Sequence, residues 1–413
     1  MSIDNSLCLF TVFRPLTSEK TMPDTPRFSY HIQPFETYIC PHSDCWKKRL
    51  PLSRQLSGSN HAEISMTYGE YFSAARSFLE RDDCEMLCSA LTARLGQTIT
   101  PRDLREIRIV LEKHGEFYHP ARIQTAVDGH TSCFVLNIAV SESGNRYLKD
   151  EYHILKRLSD EFVVSFLPRV YIFDEIDFRE KRKIRMFLGD WFEGYHEFHL
   201  SKDTSDNQFK ICVWDDANGR FFLTREQTNA LYTQAAQIMT CYYNLQTFEN
   251  ISAWHHAAGD FVVKLDQGGL DLKLITVRKY GPLFQDVNDQ EYAAENAELV
   301  LQALLIFFLN LSIQMRLDRI DGIGGFVWSE TWVAQTTVAG VFDGLSQKRA
   351  LASLPDSISA CFKSYLSVCT QADLLELSEF LVSTHYLSKP EIALIKQNLP
   401  EHVQTLYRAI NEI

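Results

Sequence analysis

The chain lacks several things that would classify it quickly. It has no run of about 18 apolar residues. The most apolar stretch, Leu299 to Met315, is broken by Gln302, Asn310 and Gln314, which predicts a buried core helix rather than a membrane span. The N-terminus carries Asp4 and no Lys or Arg before its short apolar stretch, a pattern unlike a secretory leader, so a cytoplasmic location is expected. Positive charge is in deficit: Lys and Arg total 41 against 53 Asp and Glu, for a net charge of −12. That balance disfavours nucleic acid and anionic membrane as partners. No Cys-x-x-Cys knuckle occurs among the ten cysteines, which excludes the commonest zinc-ribbon pattern. Cys40, His42 and Cys45, with Cys84 and Cys88 further on, could supply zinc ligands, but reduced thiols are the simpler expectation. No internal repeat is present.

What is present is unevenly distributed. Six of the 13 prolines fall between positions 15 and 51. Residues 1–66 therefore read as an extended arm, with Phe28, Tyr30, Phe35, Tyr38 and Trp46 able to dock onto a body. Residues 67–115 read as a helical prelude. Apolar residues recur at three- and four-residue steps from Thr67 to Leu95, and Thr100-Pro101 opens a second helix to about Lys113. The β-branched run Ile107 to Val110 leaves a strand open there.

Strands dominate residues 116–200. Two alternating runs flank Asp128-Gly129, a hairpin signal. A helix over 145–158 follows, then strands over 169–176 and 183–191. Residues 201–413 read as mainly helical. Helices are expected at 224–243, 289–317, 346–368, 371–384 and 389–411, with one hairpin, 260–265 and 270–277, across Gly268-Gly269. The expected fold class is α+β: a small antiparallel sheet lobe, a larger helical lobe and an N-terminal extension.

One segment carries a more specific reading. Trp254-His255-His256-Ala257-Ala258-Gly259-Asp260-Phe261 follows a long helix and opens a hairpin. In this position and element order it resembles the catalytic loop of the protein-kinase-like superfamily, in particular the aminoglycoside and choline phosphotransferase branch, whose loop reads His-Gly-Asp-Leu. The resemblance spans roughly residues 105 to 385. It implies a two-lobed fold, with Asp260 as the carboxylate that accepts the substrate hydroxyl proton. It places Glu151 where kinases keep the Glu that pairs with a strand Lys, and Glu193 in the hinge that contacts adenine.

The departures from that pattern are as informative. Asn137 stands where the phosphate-binding Lys is expected, Leu265 where the metal-binding Asn is expected, and Thr276 where the metal-binding Asp is expected. Gly115 alone cannot form a phosphate-cradling loop. Magnesium needs hard oxygen donors in octahedral geometry, and these are the ones replaced.

The expected function is a catalytically degenerate kinase-like protein, a pseudokinase. It would bind a small molecule or protein partner in the cleft between lobes, with Asn137, Glu151, Glu193 and Thr276 lining that cleft beside Asp260. A second reading is an active small-molecule phosphotransferase. It would use ATP and Mg²⁺ with substituted ligands, drawing on His255, His256, Asp266 or Asp271. A third is a non-enzymatic adaptor with an aromatic docking arm.

Plainer readings stand beside these. Gly259-Asp260 is also a common turn pair. His196-Glu197-Phe198-His199 is one residue short of the zincin helix spacing. Asp318 and Asp321 lack the spacing of a calcium loop and suit a glycine-capped helix end. Lys181-Arg182-Lys183 reads as a solvated hairpin tip.

Overall fold

The structure is a computed structural model. It describes residues 25–51, 66–115, 117–179, 182–215, 218–255, 257–267, 269–283, 296–322, 324–385 and 388–413. His256, Gly268, Lys181 and much of the 1–66 arm lie outside the described residues. The fold is mixed α+β with several antiparallel sheets.

The N-terminal part begins with β1 (Arg27–Ile32), β2 (Thr37–Tyr38) and the short α1 (Asp44–Lys47). Then come α2 (Tyr68–Leu95), β3 (Glu106–Leu111), β4 (Tyr118–Val127), β5 (His130–Ala139), α3 (Glu142–Glu161), β6 (Val170–Phe178) and β7 (Arg182–Asp190). These strands form one seven-stranded sheet in the order β2-β1-β3-β4-β5-β7-β6. Every pairing is antiparallel except β1 with β3.

Two expectations change here. The second prelude helix is only a 3-10 turn at Pro101–Asp103, and Glu106–Leu111 is a strand. The alternation wins over the helical spacing because Ile107 and Ile109 point into an apolar layer that only a strand can fill from one side. The arm, in turn, supplies β1 to the sheet, with Arg27 opposite Glu106 and Ile32 opposite Leu111.

Side chains alternate across β5, and this divides the packing. Phe134, Leu136 and Ile138 join one core with Tyr71, Phe72, Phe78 and Leu91 of α2. Ala139, on the opposite face, joins a second core with Leu148, Tyr152 and Leu155 of α3. Thr67 starts α2 with a capping box to Glu70, and the helix bends where Asp82, Asp83 and Cys84 take left-handed backbone angles. Cys84 and Cys88 are buried on α2, and burial pushes both thiols up to about 11.

The C-terminal part opens with β8 (His196–Lys202), β9 (Phe209–Asp215) and β10 (Gly219–Phe222), followed by α4 (Arg225–Cys241). It continues with β11 (Glu249–Ser252), β12 (Ala258–Asp266), β13 (Gly269–Leu274) and β14 (Lys279–Pro282). A second sheet runs β10-β9-β8-β12-β13. Only β12 and β13 correspond to the expected hairpin; β8, β9 and β10 were not among the expected strands.

The chain then adds α5 (Ala297–Arg316), β15 (Leu317–Arg319), β16 (Phe326–Trp328), α6 (Trp332–Ser346), α7 (Ile358–Val368), α8 (Gln371–His385) and α9 (Lys389–Asn411). The expected helix 346–368 is corrected to its second half, α7; residues 347–357 are not helical, and α6, which was not expected, ends at Ser346. Among the described residues one helix, α5, is long and apolar enough to cross a membrane, and 61% of its apolar window is buried inside the protein.

Candidate functional site

The site is built where β12, the segment after β13, α3 and β4 meet. Gly259 has φ +83°, a conformation that glycine adopts without the Cβ penalty. The pairing of β12 with β8 shifts register between Ala258 and Val262. Such an irregularity re-aims the residue it carries, here Asp260, which is 1% exposed. Arg278 binds both carboxylate oxygens, Nη2 to Oδ1 at 2.5 Å and Nη1 to Oδ2 at 2.6 Å. The His255 backbone N–H adds a 2.8 Å bond to Oδ2. Arg278 Nη1 also donates to the Ala253 carbonyl at 3.1 Å. Burial works against the Arg278 charge, but Asp260 more than offsets it, and the guanidinium is held above its usual range.

Glu151 reaches the same place from α3 and is 4% exposed. It accepts the Thr276 hydroxyl, and the Val277 N–H at 3.0 Å. Tyr118 Oη lies 3.4 Å from Thr276 Oγ1. Burial pushes Glu151 up. The hydrogen bonds from Thr276, Tyr118 and Val277, and the Arg278 charge, oppose the rise.

A second layer lies beside Gly259. Lys113, just past β3, pairs with Glu197 of β8. His199 Nδ1 donates to the Ala257 carbonyl at 3.1 Å, its Nε2 lies 3.8 Å from Glu197, and its ring packs on Trp214 at 4.2 Å. Burial would raise Glu197, yet Lys113 and His199 hold it at about 2. Asp318 of β15 is fully buried and is pushed up to about 7 by that burial. Its Arg319 N–H bond and the nearby His255 and His199 oppose the rise, and Asp260 adds to it.

Three of the five sequence-derived residues, Asp260, Glu151 and Thr276, thus come together. Asn137 is buried on β5 opposite Pro120 and Phe187. Glu193 is exposed in the turn between β7 and β8. Among the described residues no hydrogen bond or ion pair ties either to the Asp260 network. Asp271 is engaged by Tyr195 and Lys273 instead.

Sequence reading missed Arg278, Tyr118 and Lys113. Each is a single residue with no motif around it, so no local signal marks it. Among the described residues no group of three or more His, Cys, Asp and Glu side chains is placed to hold a metal ion. Asp260 and Thr276 do not fit Mg²⁺ as they stand, because their oxygens are engaged by Arg278 and Glu151.

No family model matches the chain, and no curated protein matches it. Among solved structures it is similar to one described as WaaP in complex with acyl carrier protein. The TM-score is 0.28 and the identity 12%, over 65% of this chain and 86% of that one.

Proposed function

We propose that the chain is a two-lobed, kinase-like binding module that has lost phosphoryl-transfer chemistry, a pseudokinase whose ligand or protein partner sits between the lobes. The observation that carries this reading is the bidentate hold of Arg278 on Asp260. A general base must offer a lone pair to the incoming hydroxyl. A carboxylate whose two oxygens are spent on one guanidinium, inside the protein, is a structural anion. Phosphoryl transfer also relies on metal electrostatics and positioning. Here Thr276 gives its hydroxyl to Glu151, and Asn137 replaces a cation. The network joins α3, β4 and the segment after β13, and so serves to fix one lobe against the other.

The test is thermal unfolding of the full chain with ATP, alone and with Mg²⁺ or Mn²⁺, alongside an ADP-release assay. A ligand that binds the folded state raises the midpoint by mass action. The expected result is a midpoint indifferent to metal and no ADP release. A metal-dependent rise with turnover, both lost in Asp260→Asn, would establish an active phosphotransferase instead.

A further inference from the structure

A cavity of about 290 Å³ lies away from the Asp260 network, at the N-terminal end of α3 and along β7. Glu142, Asn145, Arg146, Glu175, Arg182, Lys183 and Arg185 line it. Four cations face two carboxylates there, in a chain whose net charge is −12. Local positive charge against an acidic background concentrates anions.

The wall is fixed by a buried side chain. Asn145 is 6% exposed. Its Nδ2 donates to the Lys183 carbonyl at 2.9 Å, and its Oδ1 accepts the Arg185 N–H at 2.9 Å. Arg185 Nη1 returns a 3.3 Å bond to the Asn145 carbonyl. The first turns of α3 are thereby bolted to β7, and the cations on both elements keep a set spacing. Such preorganisation lowers the ordering cost of binding.

The charges are not equally available. Lys183 pairs with Glu175, and Arg185 lies 3.7 Å from the same carboxylate. Among the described residues no carboxylate pairs with Arg146 or Arg182. Two planar guanidinium groups at one cavity suit a tetrahedral oxyanion, which accepts bidentate bonds from each. An excess of two positive charges matches the charge of about −1.5 to −2 on a phosphomonoester. The positive end of the α3 dipole adds to the same field.

We propose that this cavity binds a phosphomonoester group, carried either by a soluble phosphorylated compound or by a lipid headgroup, with Arg146 and Arg182 as its principal contacts. Two arms test it on the full chain. One is calorimetric titration with glycerol 3-phosphate. The other is co-sedimentation with phosphatidylcholine vesicles doped with phosphatidic acid. Arg146→Gln and Arg182→Gln should each weaken binding roughly tenfold, the size expected for one charge-assisted contact. Arg102→Gln, an exposed cation elsewhere, should bind like the wild type. Both Gln variants alter exposed residues, and unchanged unliganded melting confirms that they fold. Binding in the first arm identifies a soluble phosphate ester, and binding in the second alone identifies a headgroup. Absence of binding in both arms overturns the proposal. So does equal binding by the Arg146 and Arg182 variants, or equal loss in Arg102→Gln.

Discussion

Arg278 and Asp260 form a bidentate pair in which the carboxylate is 1% exposed. Arg278 keeps 35% of its side chain exposed, so the sensitive loss is that of the arginine, which leaves the buried Asp260 charged and desolvated. Arg278→Met should cost about 3–5 kcal/mol in urea unfolding. The double variant Asp260→Leu with Arg278→Met should recover much of that. A single variant that loses under about 1 kcal/mol would mean that the pair is solvated in solution.

The Thr276 hydroxyl holds Glu151 in place. Thr276→Val removes that donor and leaves a buried carboxylate oxygen short of a partner, for an expected cost of about 1–3 kcal/mol. Thr276→Ser keeps the hydroxyl and should fall well inside that figure. Equal losses in the two variants, read from denaturant midpoints, would assign the effect to the methyl group.

Asp318 sets a pH dependence. Its folded value of about 7 stands above the 3.8 of an unperturbed aspartate. Between those values the folded state binds the extra proton. Stability from this group therefore falls as pH rises from about 4 to 7. Asp318→Asn removes the slope. Unfolding at about pH 5 and about pH 8 should show the variant gaining on the wild type by on the order of 2–4 kcal/mol. A difference that stays flat across the range contradicts the assignment.

α6 is set against α4 by glycine. A Cβ on Gly340 would lie 2.1 Å from the Thr233 carbonyl, and one on Gly344 would lie 2.6 Å from Thr240 Cβ. Gly340→Ala should separate the helices and lower the melting midpoint by several degrees, whereas Gly281→Ala, which meets nothing within 4 Å, should be neutral. Similar midpoints for the two variants would show that the close approach does not persist in solution.

The same glycines explain what sequence reading could not see. Gly340, Gly344 and the Thr336-Thr337 pair are weak helix formers, so α6 has no propensity signature. Tertiary contact with α4 decides it. Elements whose pattern is local were readable. The β4–β5 hairpin is announced by Asp128-Gly129, and both residues adopt the left-handed angles that a tight turn requires. α3 shows its apolar stripe directly. Glu106–Leu111 was ambiguous because a run of six residues, three of them β-branched, fits either period until a sheet claims it.

At the site the division is similar. Asp260, Glu151 and Thr276 were singled out by their order along the chain, and the structure brings them together through Arg278 and the Thr276–Glu151 bond. Arg278 was not, because a lone arginine after a strand announces nothing until its partner is seen.

The parallel seat of β1 beside β3 has a consequence for synthesis. β1 can pair with β2 as soon as both are made, but its other edge must wait from Arg27 to Glu106 for β3. At about 5–20 residues per second, that delay is roughly 4 to 16 seconds. An open strand edge is exposed to wrong pairing over such an interval. The chain makes a shelter first. Tyr30 of β1 packs against Phe72 of α2 at 5.3 Å and against Trp46 at 5.0 Å, and both partners emerge well before β3. The aromatic contacts on α1 and α2 thus give β1 an apolar seat that is synthesised before β3.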